Sequence, residues 1–356
     1  MFHRRLAAAL CLALLAAGVQ EPAFSDEAHW PIDGKLLGKK GKTSEDISGI
    51  ACSASTGFPR DCLVIDDNMQ SAQRITLFEG RGKAGAVVPL ISNRFASKAL
   101  ELDGEGVAFA EDETGHKYFY VLGSHGHPRD RKHKLDPAKD HDLIAAKIKA
   151  SSQIIRLELM GDRELRVKLP VASLRGAIEA VKPLAPHVGQ RLERDGITIE
   201  GLAVVGGRLY AGFRAPTFSP IKDTACELSS AIGRPCALVL SVSLQALFEG
   251  GPLDPKPAYL HLGDKQGIRD LAPFKDGLLV LSGPAADIDG THEIFWWNRG
   301  AELVKLATLQ PPPAGAEKKA EAILPLDEGP SGLRILVMYD LAEKGAPLAI
   351  TIPSPK

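Results

Sequence analysis

The sequence lacks the signatures by which several classes of enzyme are recognised. It contains no Gly-X-Ser-X-Gly nucleophile elbow, no phosphate-binding loop, no His-Glu-X-X-His motif and no dinucleotide fingerprint. The glycine-containing segment 201–207 lies in a predicted hairpin with no helix after it. A serine-hydrolase mechanism therefore has no support in the sequence, and no catalytic residue is identified.

An excess of charge of one sign is also missing. The 43 basic and 44 acidic side chains give a formal net charge of −1. A chain so close to neutrality gives no electrostatic reason to expect nucleic acid or an anionic membrane as its partner.

Long apolar runs are absent except near the N terminus. There, a basic start precedes the apolar residues 6–19, and Ala23-Phe24-Ser25 offers small residues for cleavage. This run is too short to span a bilayer and has the layout of a secretory signal peptide. We predict a signal peptide over residues 1–25 and a single mature domain over residues 26–356. The mature protein is expected in the periplasm or secreted, without membrane insertion.

Cysteine is scarce, with five in the chain and one of them inside the predicted signal peptide. The other four form two pairs of equal spacing, Cys52 with Cys62 and Cys226 with Cys236. An even count in an exported chain favours disulfides over metal ligation. Four cysteines allow three connectivities, of which the local pairing is the easiest to form. We therefore predict the disulfides Cys52–Cys62 and Cys226–Cys236, with four buried free thiols as the alternative.

What the sequence does contain is a repeat. A short motif of small residues recurs five times, and a hydrophobic strand follows each copy about ten residues later. The copies begin at Ser48, Glu105, Glu200, Arg269 and Ala320. Self-similarity at spacings of roughly 50 to 70 residues is typical of a β-propeller with one motif per blade. We predict an all-β, five-bladed propeller whose motifs open the innermost strands and line the central channel. The longer gap between the second and third copies leaves six blades as the alternative.

The ring of blades needs a closing strand. The last predicted strand, Leu348–Ile352, requires a neighbour, and segment 30–37 is the best candidate to join it. A ring closed by strands from both termini leaves no exposed sheet edge. The clearest helical stretch, residues 173–182, is expected to bridge the second and third blades.

Carboxylates accompany the repeated motif. Four of the five copies have one at or next to the same position, namely Glu105, Glu200, Asp270 and Glu321. If these side chains point into one channel, they need a cation, a basic partner or raised pKa values. Calcium is the natural candidate cofactor, because its flexible coordination suits oxygen ligands from several strands. The alternative is that these carboxylates face channel water or cap turns.

The residues that end the second strand of each blade should surround the same channel mouth. Among them, Arg214 is a candidate to hold a phosphate or carboxylate through two parallel hydrogen bonds. The alternative is that Arg214 neutralises Glu200 on its own hairpin. Arg269 is a second candidate for an anionic ligand. His125 is a further one, because it follows directly on a strand with a buried pattern.

Half of the histidines fall between residues 116 and 141, together with several lysines and arginines. The pair His125 and His127 has the spacing of a zinc or copper ligand set. However, residues 130–149 alternate charges with almost no apolar pattern, which favours a solvated lid or flexible loop.

Taken in order, these motifs resemble those of the bacterial family called domain of unknown function 3616, and the resemblance spans essentially the whole mature chain. It rests on segments 49–51, 103–108, 121–126, 199–203, 212–216, 267–272 and 281–284. The family has no established activity, but is similar to phytase-like and esterase-like propellers. In calcium-dependent phytases, clustered carboxylates hold calcium ions that orient water and phosphate. Glu105, Glu200 and Glu321 match that general pattern, whereas Ser48 and Arg269 occupy the corresponding places in blades one and four.

We therefore expect an exported, monomeric propeller that binds a small anionic molecule or a cation at an acidic channel mouth. One alternative is a metal-dependent phosphoesterase, in which the four motif carboxylates hold calcium and Arg214 or Arg269 holds the phosphate. Another alternative is a protein-interaction scaffold that uses the top face and the basic loop.

Overall fold

The architecture is that of a computed structural model, which describes residues 27–129, 135–161, 164–219, 235–310 and 319–355. Five sheets follow one another along these residues, and each forms one blade of a β-propeller. All strand pairs in the blades are antiparallel except one short parallel pair at the outer edge of the first blade. The prediction of a five-bladed all-β propeller is confirmed.

The strands of each blade follow one another from the channel outward. Blade one contains Ile47–Cys52, Arg60–Asp66, Ser71–Phe78, Arg81–Pro89 and, at its outer edge, Ile32–Asp33. Blade two contains Gly104–Glu111, Lys117–Gly123, Ile154–Leu159 and Leu165–Ala172. Blade three contains Thr198–Val205, Arg208–Ala215, Ala237–Ser243 and Lys256–Leu260. Blade four contains Gln266–Phe274, Gly277–Pro284, Glu293–Trp297 and Leu303–Thr308. Blade five contains Lys319–Gly329, Gly332–Asp340, Leu348–Ile352 and Ala28–His29.

Helices connect or decorate the blades. The α-helices are His141–Ser151, Arg175–Ala180 and Leu244–Glu249. Short 3-10 turns lie at Lys39–Gly41, Ala185–His187, Leu192–Arg194 and Glu343–Gly345, and a small hairpin pairs Arg94–Phe95 with Lys98–Ala99. The helix predicted over residues 173–182 is present as Arg175–Ala180. Helices and turns, rather than a sixth blade, fill the described part of the long gap between the second and third motifs.

The flexible loop expected over residues 130–149 needs correction. Residues 130–134 lie outside the described part of the chain, but His141–Ser151 is an α-helix. Ile144 and Ala150 are buried on it. The charged residues between these apolar positions obscure the helical pattern in the sequence, so the helix was not predicted.

The ring is closed by strands from both ends of the described chain. Ala28 and His29 pair with Ala349 and Leu348 at the outer edge of blade five. This confirms closure by N- and C-terminal strands, but segment 30–37 does not itself join the last blade. The Trp30 N–H donates to the Pro347 carbonyl of blade five, whereas the Pro31 carbonyl accepts from Gly82 of blade one. The chain therefore crosses from one blade to the next between residues 30 and 31.

The apolar core is divided among the interfaces between blades. Five clusters of buried apolar side chains occur in the described chain, one at each interface between neighbouring blades. Close approach of the inner strands depends on the glycines of the motif. A Cβ atom at Gly106 of blade two would lie 2.7 Å from the Cβ of Leu202 in blade three. Glycine at this position therefore lets two inner strands meet beside the channel.

The predicted disulfide Cys52–Cys62 is present and joins the two innermost strands of blade one. Cys236 is disulfide-bonded as well, whereas Cys226 lies outside the described residues, so this second pairing stays a prediction. The predicted signal peptide, residues 1–25, also lies outside them. None of the helices in the described part of the chain has the length and apolar character needed to span a bilayer.

Candidate functional site

A β-bulge at the start of each inner strand builds the channel mouth. In all five blades, pairing with the second strand shifts by one residue at the repeated motif. The extra residue of each bulge is Ser48, Glu105, Glu200, Arg269 or Glu321, and all five line one cavity. Bulges re-aim side chains in this way. The repeated motif thus places one residue per blade around a common centre.

The cavity at this mouth has a volume of about 590 Å³. Its lining is dominated by charged side chains from bulges, strand ends and loops. Asp67 and Asp340 lie at the ends of second strands, which were predicted to surround this mouth. The charged lining residues that were not predicted are Lys39, Asp46, Glu101, Asp103, Arg129, Lys147, Asp287 and Lys319. Arg214, the predicted anion ligand, lines it as well.

Arg269 lies at the centre of the buried charges. Its Nε atom is 3.0 Å from Glu200 Oε2 and donates to Glu321 Oε2 at the same distance. Its Nη2 atom donates to Glu321 Oε1 as well. Burial, followed by the charge of Arg214, lowers the pKa of Arg269. One guanidinium group therefore contacts the bulge carboxylates of both blade three and blade five, and Glu200 is shared with Arg214.

Arg214 ends the second strand of blade three and is 2% exposed. Its Nη1 atom donates to Glu200 Oε1 at 3.0 Å, and its Nη2 atom donates to Asp287 Oδ1 at 2.8 Å. The Nε and Nη2 atoms also donate to the carbonyls of Ala285 and Ala286, both at 3.0 Å. The proximity of Arg214 and Glu200 on one hairpin agrees with the prediction. The guanidinium is held by protein oxygens rather than left open for a ligand.

Arg129 continues this series of ion pairs toward blade two. Its Nη1 atom is 3.3 Å from Asp287 Oδ1, and its Nη2 atom is 3.7 Å from Glu105 Oε1. Carboxylates and arginines therefore alternate around part of the mouth. We call this series the ion-pair chain; it comprises Glu321, Arg269, Glu200, Arg214, Asp287, Arg129 and Glu105.

Glu105 is the last residue of the ion-pair chain, and Arg129 balances its negative charge only weakly. Glu105 is 4% exposed, and its Oε1 atom accepts no hydrogen bond from the described residues. Burial, followed by the charges of Glu200, Asp103 and Asp67, raises the pKa of Glu105 well above its usual range, although Arg129 opposes this. A buried acceptor atom that lacks a hydrogen bond lowers the stability of the folded state.

Beyond Glu105, three aspartates gather, and none of them forms an ion pair with an arginine of the described residues. Ligand atoms of Asp46, Asp66 and Asp67 all lie within 4.8 Å of one another. We call these three residues the aspartate cluster. They meet because Asp46 precedes the inner strand of blade one, whereas Asp66 and Asp67 lie at the end of the antiparallel second strand. Asp340 of blade five adjoins Asp46 through an isolated β-bridge.

Burial and mutual repulsion perturb the aspartate cluster. Burial, followed by the charge of Asp340, raises the pKa of Asp46 to about 6. Burial also raises the pKa of Asp66 to about 6, although hydrogen bonds from Ser44 and the Asn68 N–H oppose the rise. The pKa of Asp67 lies well above its usual range, because of burial and then the charge of Asp103. The surroundings of all three carboxylates therefore favour either their protonation or the binding of a cation beside them.

Two predicted site residues lie outside the cavity lining. Asp270 is buried between blades four and five, where its Oδ1 accepts from the Leu271 N–H at 2.7 Å and its Oδ2 from the Ile323 N–H at 2.8 Å. Burial raises its pKa well above the usual range. The bulge directs Arg269 rather than Asp270 into the channel.

His125 is the second of these residues. Its Nδ1 atom is 2.8 Å from the Gly123 carbonyl, and its Nε2 atom accepts from the Leu174 N–H at 3.0 Å. This fixes the proton on Nδ1, and burial lowers the pKa of the imidazole to about 4. The ring thus ties blade two to the start of the helix Arg175–Ala180.

Comparisons with known proteins place part of the chain in a family. The model of the family described as "Protein of unknown function (DUF3616)" matches residues 171–346. These residues belong to that family. The match confirms the resemblance over these residues, which contain the motif segments 199–203, 212–216, 267–272 and 281–284, and it does not cover the segments before residue 171. It assigns no activity, and no curated protein matches the chain.

Several solved structures are similar to this chain at low identity. An exo-β-1,3-galactanase from Clostridium thermocellum is 9% identical, with a TM-score of 0.47 over 93% of this chain. The match covers 65% of the galactanase, which is less than two thirds of its length. A periplasmic gluconolactonase from Pseudomonas aeruginosa is 15% identical, with a TM-score of 0.33 over 86% of this chain and 70% of that one. The Nup133 β-propeller domain from Vanderwaltozyma polyspora is 9% identical, with a TM-score of 0.38 over 86% and 71%. All three TM-scores are below 0.5, so we base no conclusion about this chain on these similarities.

Proposed function

We propose that the protein binds a divalent cation at the acidic side of the channel mouth, held by the aspartate cluster and by Glu105. Calcium suits this set best, because it takes six to eight oxygen ligands, many of them carboxylates, in flexible geometry. The observation that carries the proposal is the buried Glu105 Oε1 atom, which accepts no hydrogen bond from the described residues. It lies near aspartates that receive hydrogen bonds from Asn68 and Ser44 but form no ion pair among the described residues.

The charges around the mouth support a cation at this place. The ion-pair chain alternates carboxylate and guanidinium from Glu321 as far as Arg129 and then ends at Glu105. The next groups are again acidic, since Asp67 and Asp103 both raise the pKa of Glu105. A cation bound between Glu105 and the aspartate cluster would restore the alternation of charge.

The basic side chain that approaches the aspartate cluster does not replace such a cation. Lys39 donates to Glu101 Oε1 at 2.6 Å and to Asn68 Oδ1 at 3.1 Å rather than to an aspartate. Its side chain is 56% exposed, so solvent screens its charge.

The phosphoesterase alternative has less support from the geometry. Arg214 and Arg269, the candidate phosphate ligands, both donate to buried carboxylates. Taking an anion would require them to release those partners. A protein-interaction scaffold should have a channel whose charges neutralise one another. Only the part of this mouth that holds Arg214 and Arg269 fits that description.

Thermal unfolding after treatment with a chelator tests the proposal. Adding millimolar calcium should raise the melting temperature, because binding to the folded state alone stabilises it by about 2.7 kcal/mol at a hundredfold excess over Kd. Asp67→Asn should remove most of that shift. Glu101→Gln, a control in the same cavity whose carboxylate is held by Lys39, should retain it. Melting that is indifferent to calcium, manganese and zinc would end the cation proposal.

A further inference from the structure

We infer that the cavity also holds an anionic oxygen group, a carboxylate or a phosphate, between Lys319 and Arg129. The inference rests on the proposed function to the extent that the bound cation takes the other end of the same small ligand. It assigns the anion to two residues that the repeated motif does not identify, rather than to Arg214 or Arg269.

Lys319 carries a positive charge that has no ion-pair partner among the described residues. It opens the inner strand of blade five, directly across from Asp340, and its half-buried side chain lines the cavity. Among the described residues, no hydrogen bond or ion pair within 4 Å is made by its ammonium group. Burial lowers the pKa of Lys319, and an anion beside the ammonium would offset that cost.

Arg129 is the most loosely held of the three arginines at the mouth. Its contacts with Asp287 and Glu105 measure 3.3 and 3.7 Å, whereas those of Arg214 with Asp287 and Glu200 measure 2.8 and 3.0 Å. Distances above about 3.2 Å are long for hydrogen bonds of this kind. The Arg129 side chain is also 26% exposed, so a ligand can reach it from the cavity.

Asp287 brings these cations to one side of the cavity. Its carboxylate contacts both Arg214 and Arg129, and its charge also acts on Lys319. Arg214 shares its charge with Glu200, but Lys319 has no comparable partner among the described residues. The cavity therefore carries positive charge at Lys319 and Arg129 that is available to a ligand, in addition to the negative charge of the aspartate cluster.

The cavity is of a suitable size for one small molecule. Its volume of about 590 Å³ lies within the range of ligand pockets, which is roughly 300 to 1,000 Å³. A ligand with its anionic group at Lys319 and Arg129 and further oxygens at the cation would match both charged sides. The class indicated is a small carboxylic acid or phosphate ester.

Titration calorimetry with inorganic phosphate and with acetate, in submillimolar calcium and in chelator, tests the inference. In calcium, the wild type should bind at least one of the two anions, and the stronger binder identifies the preferred group. Lys319→Gln should weaken that binding about tenfold or more while leaving the calcium-induced rise in melting temperature unchanged. Lys98→Gln removes the same charge from an exposed hairpin and should bind the anion as the wild type does.

The outcomes separate the two proposals. A calcium-induced melting shift without anion binding, or with equal binding by Lys319→Gln, overturns the anion position and leaves the cation site standing. Absence of the calcium shift overturns the cation site; anion binding in chelator that is lost in Lys319→Gln would then support the anion position alone. Equal affinity for the anion with and without calcium would overturn the claim that one ligand connects the two.

Discussion

The two sides of the channel mouth carry similar carboxylates and differ in what surrounds them. On the arginine side, Glu200 and Glu321 project from the bulges of blades three and five and meet Arg269 within about 3 Å. On the acidic side, Glu105 projects from the same kind of bulge, but its nearest guanidinium, that of Arg129, is 3.7 Å away. At equivalent backbone positions, the carboxylates on one side are therefore balanced by a close guanidinium, whereas the carboxylate on the other side has only a distant one. The neighbours of a motif, rather than the motif itself, decide its role.

The largest effect should follow from breaking the arginine side. Arg269→Met leaves the carboxylate of Glu321 without its guanidinium in a buried place, and removing one partner of a buried pair costs about 3–5 kcal/mol. Chemical denaturation should show this loss in the free energy of unfolding. In a Glu321→Gln background, which removes the unpaired negative charge, the same substitution should lower the free energy of unfolding clearly less. Equal losses in both backgrounds would mean that the arginine acts through its volume and not its charge.

Opposite signs are expected when one carboxylate on each side is changed to an amide. Asp46→Asn relieves repulsion from Asp340, so in chelator it should stabilise the protein by about 1 kcal/mol after allowance for solvent screening. Asp287→Asn weakens the contacts with Arg214 and Arg129 and should destabilise it by about 1 kcal/mol. Urea-unfolding curves of the wild type and the two variants, recorded side by side in chelator, test this. Changes of the same sign would remove the distinction between the two sides.

A smaller effect is the pH dependence of the gain from Asp46→Asn. The folded-state pKa of Asp46 is raised to about 6 from its ordinary value of 3.8, so its contribution to stability is fully present below about pH 4 and is lost as the pH rises through 6. Burial raises this pKa most, Asp340 and Glu45 raise it further, and Lys39 opposes the rise. The gain should therefore be larger at pH 7.5 than at pH 4.5, measured by unfolding in chelator. A gain that grows on acidification would contradict this assignment.

Much of the fold and part of the site were predictable from the sequence. Five motif copies imply five inner strands, and the spacing of Cys52 and Cys62 predicted a disulfide that the structure contains. The proximity of Glu200 and Arg214 also followed, because both lie on one short hairpin, although their ion pair was only the alternative to anion binding by Arg214. Local patterns were sufficient for all of these features.

The remainder depends on contacts between distant segments. Arg129 and Asp287 lie in loops of different blades, 158 positions apart, and only the closed ring brings them together. Asp46 precedes its motif and meets Asp340 of the last blade for the same reason. The prediction that Asp270 lines the channel failed for a local reason. A one-residue bulge decides which of two neighbouring side chains enters the channel. Such a bulge has no clear signature in the sequence.

Calcium titration of matched variants tests the contrast between the two sides most directly. Asp67→Asn and Glu321→Gln make comparable carboxylate-to-amide changes, one on each side of the cavity. Isothermal titration calorimetry should show one calcium site in the wild type, its loss in Asp67→Asn and its retention in a cooperatively folded Glu321→Gln. Calcium binding that survives in Asp67→Asn but is lost in Glu321→Gln would place the cation on the wrong side and contradict the account.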